Sequence, residues 1–238
     1  MENTIWEAFR KINANRRSIR DFDNSAIPDD DIKEILMEAG LAPSSGNSLP
    51  YEFHWIKTQE LKDKVALACN GQRGAASAST LVVLVASTGI AKKSLHSFKN
   101  YIENSEVMSE KSKTYYLKSI DILTRFLKIG PLIFWTSFLN IFSLILPALS
   151  LLPVGGIGVR QWCSKNSIFA AQNFMLAASA KGYDSCPMEG FNARKIASLL
   201  KLPYGSVIPV VIALGKRTDN ALLDGRWRRP FEDAVVIH

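Results

Sequence analysis

From Ile129 to Val159 the chain carries no Asp, Glu, Lys, Arg or His, an uncharged run of 31 residues. A run of about 18 or more apolar residues ordinarily reads as a membrane-crossing helix. Here Pro131, Pro147 and Pro153 interrupt the run, and Gly155-Gly156 ends it. An interior proline removes a helical hydrogen bond and clashes with the preceding turn, so the run divides into pieces of roughly half a span. Its Leu, Ile and aromatic content is too high to face water, since each buried CH₂ contributes about 0.8 kcal/mol. Whatever this chain folds into must cover the stretch with protein or with lipid.

The flanks read as globular sequence. Ile5, Phe9 and Ile12 recur at helical spacing and share one face. After Ile27-Pro28, acidic Asp29 to Asp31 precede Ile32, Ile35, Leu36 and Ala39, which predicts a second helix with negative charge at its N-terminus. Ala42 to Asn47 is a run of turn formers. Tyr51 to Lys57 predicts a strand, Leu61 to Cys69 a helix, and Thr80 to Ala86 (TLVVLVA) a strand buried on both faces. Ser167 to Lys181 predicts a buried helix ended by Gly182, Ala193 to Leu200 a short helix, and Val207 to Leu214 another buried strand. The tail is polar and ends in an extended AVVIH. Helices outnumbering few strands predict an α+β or α/β class with a small sheet.

At 47% hydrophobic and 21% charged the chain is not a disordered one. Three Cys in 238 residues exclude a disulfide scaffold, and Cys69, Cys163 and Cys186 form no C-x-x-C pair, which leaves a zinc site unsupported, so no metal is expected. The N-terminal MENTIWEAFRKINANRR mixes charges and has no apolar h-region, so the expected location is cytoplasmic. The net charge of +7 is clustered, with Arg16, Arg17 and Arg20 near the start and Arg226, Arg228 and Arg229 near the end. Such clusters are either solvated surface or a grip on one phosphate, reached from both ends of the chain. No RNP, zinc-finger or basic-zipper pattern accompanies them, so no nucleic acid is expected.

Three motifs carry candidate chemistry. Arg16-Arg17-Ser18-Ile19-Arg20 offers guanidiniums and a hydroxyl suited to an oxyanion. Pro43-Ser44-Ser45-Gly46-Asn47-Ser48-Leu49-Pro50 offers hydroxyls, an amide and backbone N–H groups, for helix capping or for the edge of a heterocycle. In Pro187-Met188-Glu189-Gly190-Phe191 the glycine would let a backbone N–H approach a flat ligand. Of the three His, His54 lies on a predicted strand, His96 in the middle segment and His238 at the terminus, without catalytic partners.

In this order the motifs resemble those of the FMN-dependent nitroreductase family. Arg16 to Phe22 matches R-R-S-x-R-x-F, and Ala42 to Pro50 matches A-P-S-S-x-N-x-Q-P with Leu49 in place of Gln. Ala170 to Ala178 matches A-A-Q-N-x-x-L-A-A, and Pro187 to Phe191 matches P-x-E-G-F. A strand ending in Gly215 and an Arg-containing tail, Arg226 to Pro230, close the pattern. The resemblance spans residues 10–90 and 165–238, about two-thirds of the chain. Tyr51 replaces the usual Trp, and Asn166-Ser167 stands where an acidic residue commonly begins the Q-N helix.

The resemblance implies an α+β nitroreductase-like fold, with a small, mostly antiparallel central sheet flanked by helices. It further implies an obligate homodimer with FMN at the interface. Residues 1–238 would form one domain, with 90–165 as a variable hydrophobic helical insertion. Arg16, Arg17 and Ser18 would hold the FMN phosphate and ribityl chain, joined by Arg226 and by Arg228 or Arg229. Arg20 would sit near N1 and O2 of the isoalloxazine. Pro43, Ser44, Ser45 and Asn47 would reach the partner's flavin, and Gln72 would face the ring edge. Pro187, Met188, Glu189 and Gly190 would line N5, with Arg20, Glu189 and Gly190 closest to the chemistry.

The implied activity is ping-pong hydride transfer from NADPH or NADH, through flavin N5, to a small apolar or aromatic acceptor such as a nitroaromatic, quinone or enone. The rival is a flavin carrier or a membrane- or partner-docking module without turnover. With both flanks in one domain, the uncharged run must leave and return on the same side. It would be a cover over the flavin and a dimer wrap, a docking surface, or a hairpin dipping into a membrane. In the last case Phe134, Trp135, Phe138 and Phe142 are the anchors, and Lys111, Lys113, Lys118, Arg125, Lys128 and Arg160 lie near the interface. The location would then be peripheral, on the inner membrane face.

Overall fold

A computed structural model describes residues 2–129, 158–223 and 225–238. Most of the uncharged run, including Phe134, Trp135, Phe138 and Phe142, lies outside the described residues.

The core is a sheet of four strands in the order β1-β2-β4-β3: β1 (Tyr51–Ile56), β2 (Thr80–Ala86), β3 (Asp184–Met188) and β4 (Val207–Gly215). All three pairings are antiparallel. Every residue of β2 is buried, as its β-branched run predicts. Successive strand residues face opposite ways, so the sheet feeds two apolar clusters. Val82, Leu84, Val210, Ile212 and Leu214 face α2 (Asp29–Gly40), α5 (Thr88–Glu103), α6 (Glu110–Ile129) and α7 (Val159–Ala180). Leu81, Val83, Val85, Val211 and Ala213 face α3 (Gln59–Ala68), α4 (Arg73–Ser77) and α8 (Ala193–Leu199).

Helix α7 begins eight residues before the predicted start at Ser167. Val159, Trp162, Cys163 and Asn166 continue the buried stripe of Ala170, Phe174 and Ala178 at helical spacing. Gly182 follows it at φ +80°, a conformation glycine adopts without steric cost. Strand β3 escapes the periodicity because it is short and contains Pro187. Its one strand neighbour in the sheet is β4, and an edge strand tolerates a residue without an N–H. In the tail, Ala234 closes a short helix α9 (Phe231–Ala234), so the extended segment starts one residue late, at Val235.

The apolar face predicted for α1 (Glu2–Asn15) exists but is not buried in the single chain: Ile5, Trp6 and Phe9 are 74%, 57% and 44% exposed. Helix α1 is tied to α7 near its end, where Ser179 Oγ donates to the Ile12 carbonyl at 3.0 Å.

From α1 the chain runs beside the sheet edge. Ser18 bridges Ser185 of β3, Ile19 N–H donates to the Ser185 carbonyl at 3.1 Å, and Asp23 N–H to the Lys216 carbonyl at 3.0 Å. The Arg217 guanidinium grips Asp184 through two nitrogens, fixing the exit of β4 to the start of β3. Phe22 lies flat against Gly215, where an added Cβ would sit 2.7 Å from the ring. Gly215→Ala should therefore lower the unfolding free energy by about 1–3 kcal/mol through overpacking. A urea titration measures it, and an unchanged midpoint would show that Phe22 moves aside freely.

Candidate active site

Residues distant in sequence converge where the 16–23 segment passes the sheet edge. Arg16 extends the last turn of α1, its N–H donating to the Ile12 carbonyl at 3.0 Å. Arg16, Arg17, Ser18, Arg20, Arg226 and Arg228 line a pocket of about 200 Å³. Arg16, Arg226 and Arg228 also border a cleft of about 680 Å³ with Trp6, Phe9 and Gln172. Arg16 is held below its ordinary pKa, first by burial and then by Arg226, Arg228 and Arg17. Among the described residues, Arg16, Arg226 and Arg228 have no carboxylate partner. Guanidiniums gathered in this way offer donors suited to an oxyanion.

The tail arginines divide their work. Arg226 donates to the carbonyls of Asn13, Ala14 and Arg16 at 3.1, 2.7 and 2.8 Å. It therefore caps the C-terminal end of α1 and clamps the tail there, a placement the helix dipole also favours. Arg228 donates to the Trp227 carbonyl at 2.8 Å and also lines the pocket. Arg229 is turned away from the pocket and donates to the Asp233 carbonyl.

Arg20 and Gly190 are each tied to α4, at its two ends. Ser77 Oγ donates to the Arg20 carbonyl at 3.3 Å, and the Gly74 backbone packs between Arg20 Cα and Cys186. Burial pushes the Cys186 thiol up, and the Arg20 guanidinium opposes this, which places that cation near β3. Gln72, at the N-cap of α4, donates to the Gly190 carbonyl at 2.7 Å, and Asn70 donates to the same oxygen at 3.1 Å. Phe191 N–H closes a tight turn onto the Glu189 carbonyl at 3.1 Å. Glu189 and Gly190 are exposed, Met188 is buried and Pro187 partly so. An added Cβ on Gly190 would approach Gln72 Nε2 to 3.3 Å, so the glycine gives room to that amide. Gln72 is thus a positioner of the turn, a role the sequence alone does not express.

The Pro43–Asn47 loop lies elsewhere in the single chain. It closes in a 3₁₀ turn (Ser45–Asn47), with Leu49 N–H donating to Ser44 Oγ at 3.0 Å. The Ser45 N–H donates to Asn166 Oδ1 at 2.8 Å, while Asn166 Nδ2 donates to the Trp162 carbonyl at 2.9 Å. Sequence reasoning treats Asn166 only as a departure from an acidic residue; it anchors the loop. The loop lines neither the arginine pocket nor the adjoining cleft of its own chain.

All three cysteines are free and buried, with Cys69 and Cys163 pushed up to about 11 and about 12 by burial. No group of His, Cys, Asp and Glu among the described residues has metal-ligand geometry.

Comparisons with known proteins bear on the family and the fold. The nitroreductase family model matches residues 14–113 and 153–216. YdgI of Bacillus subtilis, named as an NAD(P)H nitroreductase, is 28% identical over 94% of each chain. Among solved structures, ydfN of Bacillus subtilis superposes with a TM-score of 0.77 at 20% identity, covering 98% of this chain and 100% of that one. An Exiguobacterium sibiricum protein described as a nitroreductase in complex with FMN gives 0.67 at 22% identity, over 97% of each. An enone reductase of gut-bacterial fatty acid saturation, CLA-ER, gives 0.68 at 21%, covering 96% of this chain and 97% of that one. With more than half its length matched by the family model and its four-stranded fold shared with these structures, the chain belongs to the nitroreductase family.

Proposed function

We propose that the protein is an FMN-dependent NAD(P)H oxidoreductase that reduces a small apolar or aromatic acceptor. The observation that carries this reading is the convergence of Arg16, Arg17, Ser18, Arg20, Arg226 and Arg228 on one pocket, where burial and then the neighbouring cations depress Arg16. Their donor chemistry fits the terminal phosphate of FMN, and the family relationship and the Exiguobacterium complex support the same cofactor. When bound, FMN supplies hydride acceptance and donation; the chain supplies position and charge. Arg16, Arg17, Ser18 and Arg228 hold the phosphate end, while Arg226 fixes the tail that carries Arg228. Arg20 provides a cation for negative charge developing on the reduced ring, and the Glu189–Gly190 turn, pinned by Gln72 and Asn70, presents a backbone N–H.

The site is completed in this reading by a second copy. Exposed Ile5, Trp6 and Phe9 of α1, with Ile168 and Phe169 of α7, form an apolar face suited to a homodimer. A partner would bring its Pro43–Asn47 loop to the pocket that this chain's own loop does not reach. The α5 and α6 helices share one buried cluster with α2 and α7, which supports reading residues 1–238 as one domain.

Purified protein should be yellow and should bleach on anaerobic addition of NADPH or NADH. Yellow protein that bleaches with neither would favour a carrier without turnover, and colourless protein that refuses added FMN would sink both readings.

Arg16→Ala and Arg228→Ala should each weaken FMN retention by about 1.5–3 kcal/mol, the worth of a charge-assisted hydrogen bond. Equilibrium dialysis measures this, and unchanged affinity in both would put the phosphate elsewhere. Arg20→Ala should leave FMN bound but lower its reduction potential, while Arg20→Lys should retain most of it. A potentiometric titration without a shift would remove Arg20 from its role.

A further inference from the structure

We propose that the outward face of α6 docks the protein on an anionic lipid surface. Lys111, Tyr115, Lys118, Ile122 and Arg125 follow one another at spacings of four and three residues. At 100° per residue they fall within an arc of about 80°. All five are exposed, Tyr115 by 67% and Ile122 by 59%, while Ile120, Leu123 and Leu127 on the opposite side are buried in the core. The stripe therefore alternates cations with apolar groups on a face turned away from the buried core.

Charge and sequence context select the occupant. Among the described residues none of Lys111, Lys118 and Arg125 makes an ion pair, whereas Lys113, off the stripe, pairs with Glu110 at 3.0 Å. The two acids of α6, Glu110 and Asp121, lie about a quarter-turn from the centre of the stripe. A duplex nucleic acid, met through its phosphates, would leave Ile122 uncovered, and an acidic protein surface would leave both Ile122 and Tyr115 wet. A headgroup layer takes both, with cations at the phosphates and apolar side chains just beneath. In sequence, α6 leads directly into the uncharged run from Ile129 to Val159, with Arg160 following it. The stripe thus borders the most lipid-compatible part of the chain.

The test is cosedimentation of the full chain, as purified, with vesicles of phosphatidylcholine alone or with phosphatidylglycerol added. Binding is expected to the phosphatidylglycerol vesicles only, and to vanish in 1 M salt, where the screening length falls to about 3 Å. Lys118→Gln/Arg125→Gln should bind them about 30-fold more weakly, at roughly five-fold per cation, with unchanged melting temperature. Failure to bind phosphatidylglycerol vesicles, or equal binding by a correctly folded double variant, would overturn the proposal. So would salt-independent binding to phosphatidylcholine alone, which would move attachment from α6 to the uncharged run. The salt titration uses the unmodified protein, so absent or salt-independent binding overturns the proposal even if the variant does not fold.

Discussion

Strand β2 leaves no residue exposed, and much of the architecture follows from that constraint. A strand buried on both faces needs a helical layer on each, which obliges α2, α5, α6 and α7 to one side and α3, α4 and α8 to the other. Helices cover the faces, so the open backbone of the sheet is at its edges. At the β3 edge the chain after α1 runs alongside and pairs through Ser18 and Ile19. The arginine pocket is a consequence of where that segment must go to meet the edge.

Charge follows the same geometry. Cations brought together are costly for the free protein, and Arg16 is depressed by burial and then by Arg226, Arg228 and Arg17. Arg226 relieves part of this by engaging the carbonyls that end α1, which are themselves partially negative. The tail arginines are therefore not equivalent: one fixes the fold and another remains open to a ligand. The same division appears at the β3 turn, where Gln72 and Asn70 hold a carbonyl so that the neighbouring backbone can face outward.

Much of this was legible in the sequence. Strands β2 and β4 follow from β-branched runs, and the motif residues from Arg16 to Arg20 do gather with Arg226 and Arg228. Two kinds of information were not legible. Strand β3 is short, and its Pro187 makes sense only once its edge position is known. Asn166 meets its loop partner 121 residues away, a distance over which no local pattern operates. The exposed α1 face shows a third limit: helical spacing says which residues share a face, but not whether the face is covered within one chain.

Asn166 has a further consequence. It is almost wholly buried, and its amide both accepts from the loop and donates to its own helix. A carboxylate there would accept the same loop bond but would gain a proton in acid, and burial would move that event towards neutral pH. An amide has no proton to gain. The anchorage of the loop is therefore indifferent to acidity across the range in which the chain stays folded, and a change of pH reaches this part of the molecule only through its neighbours.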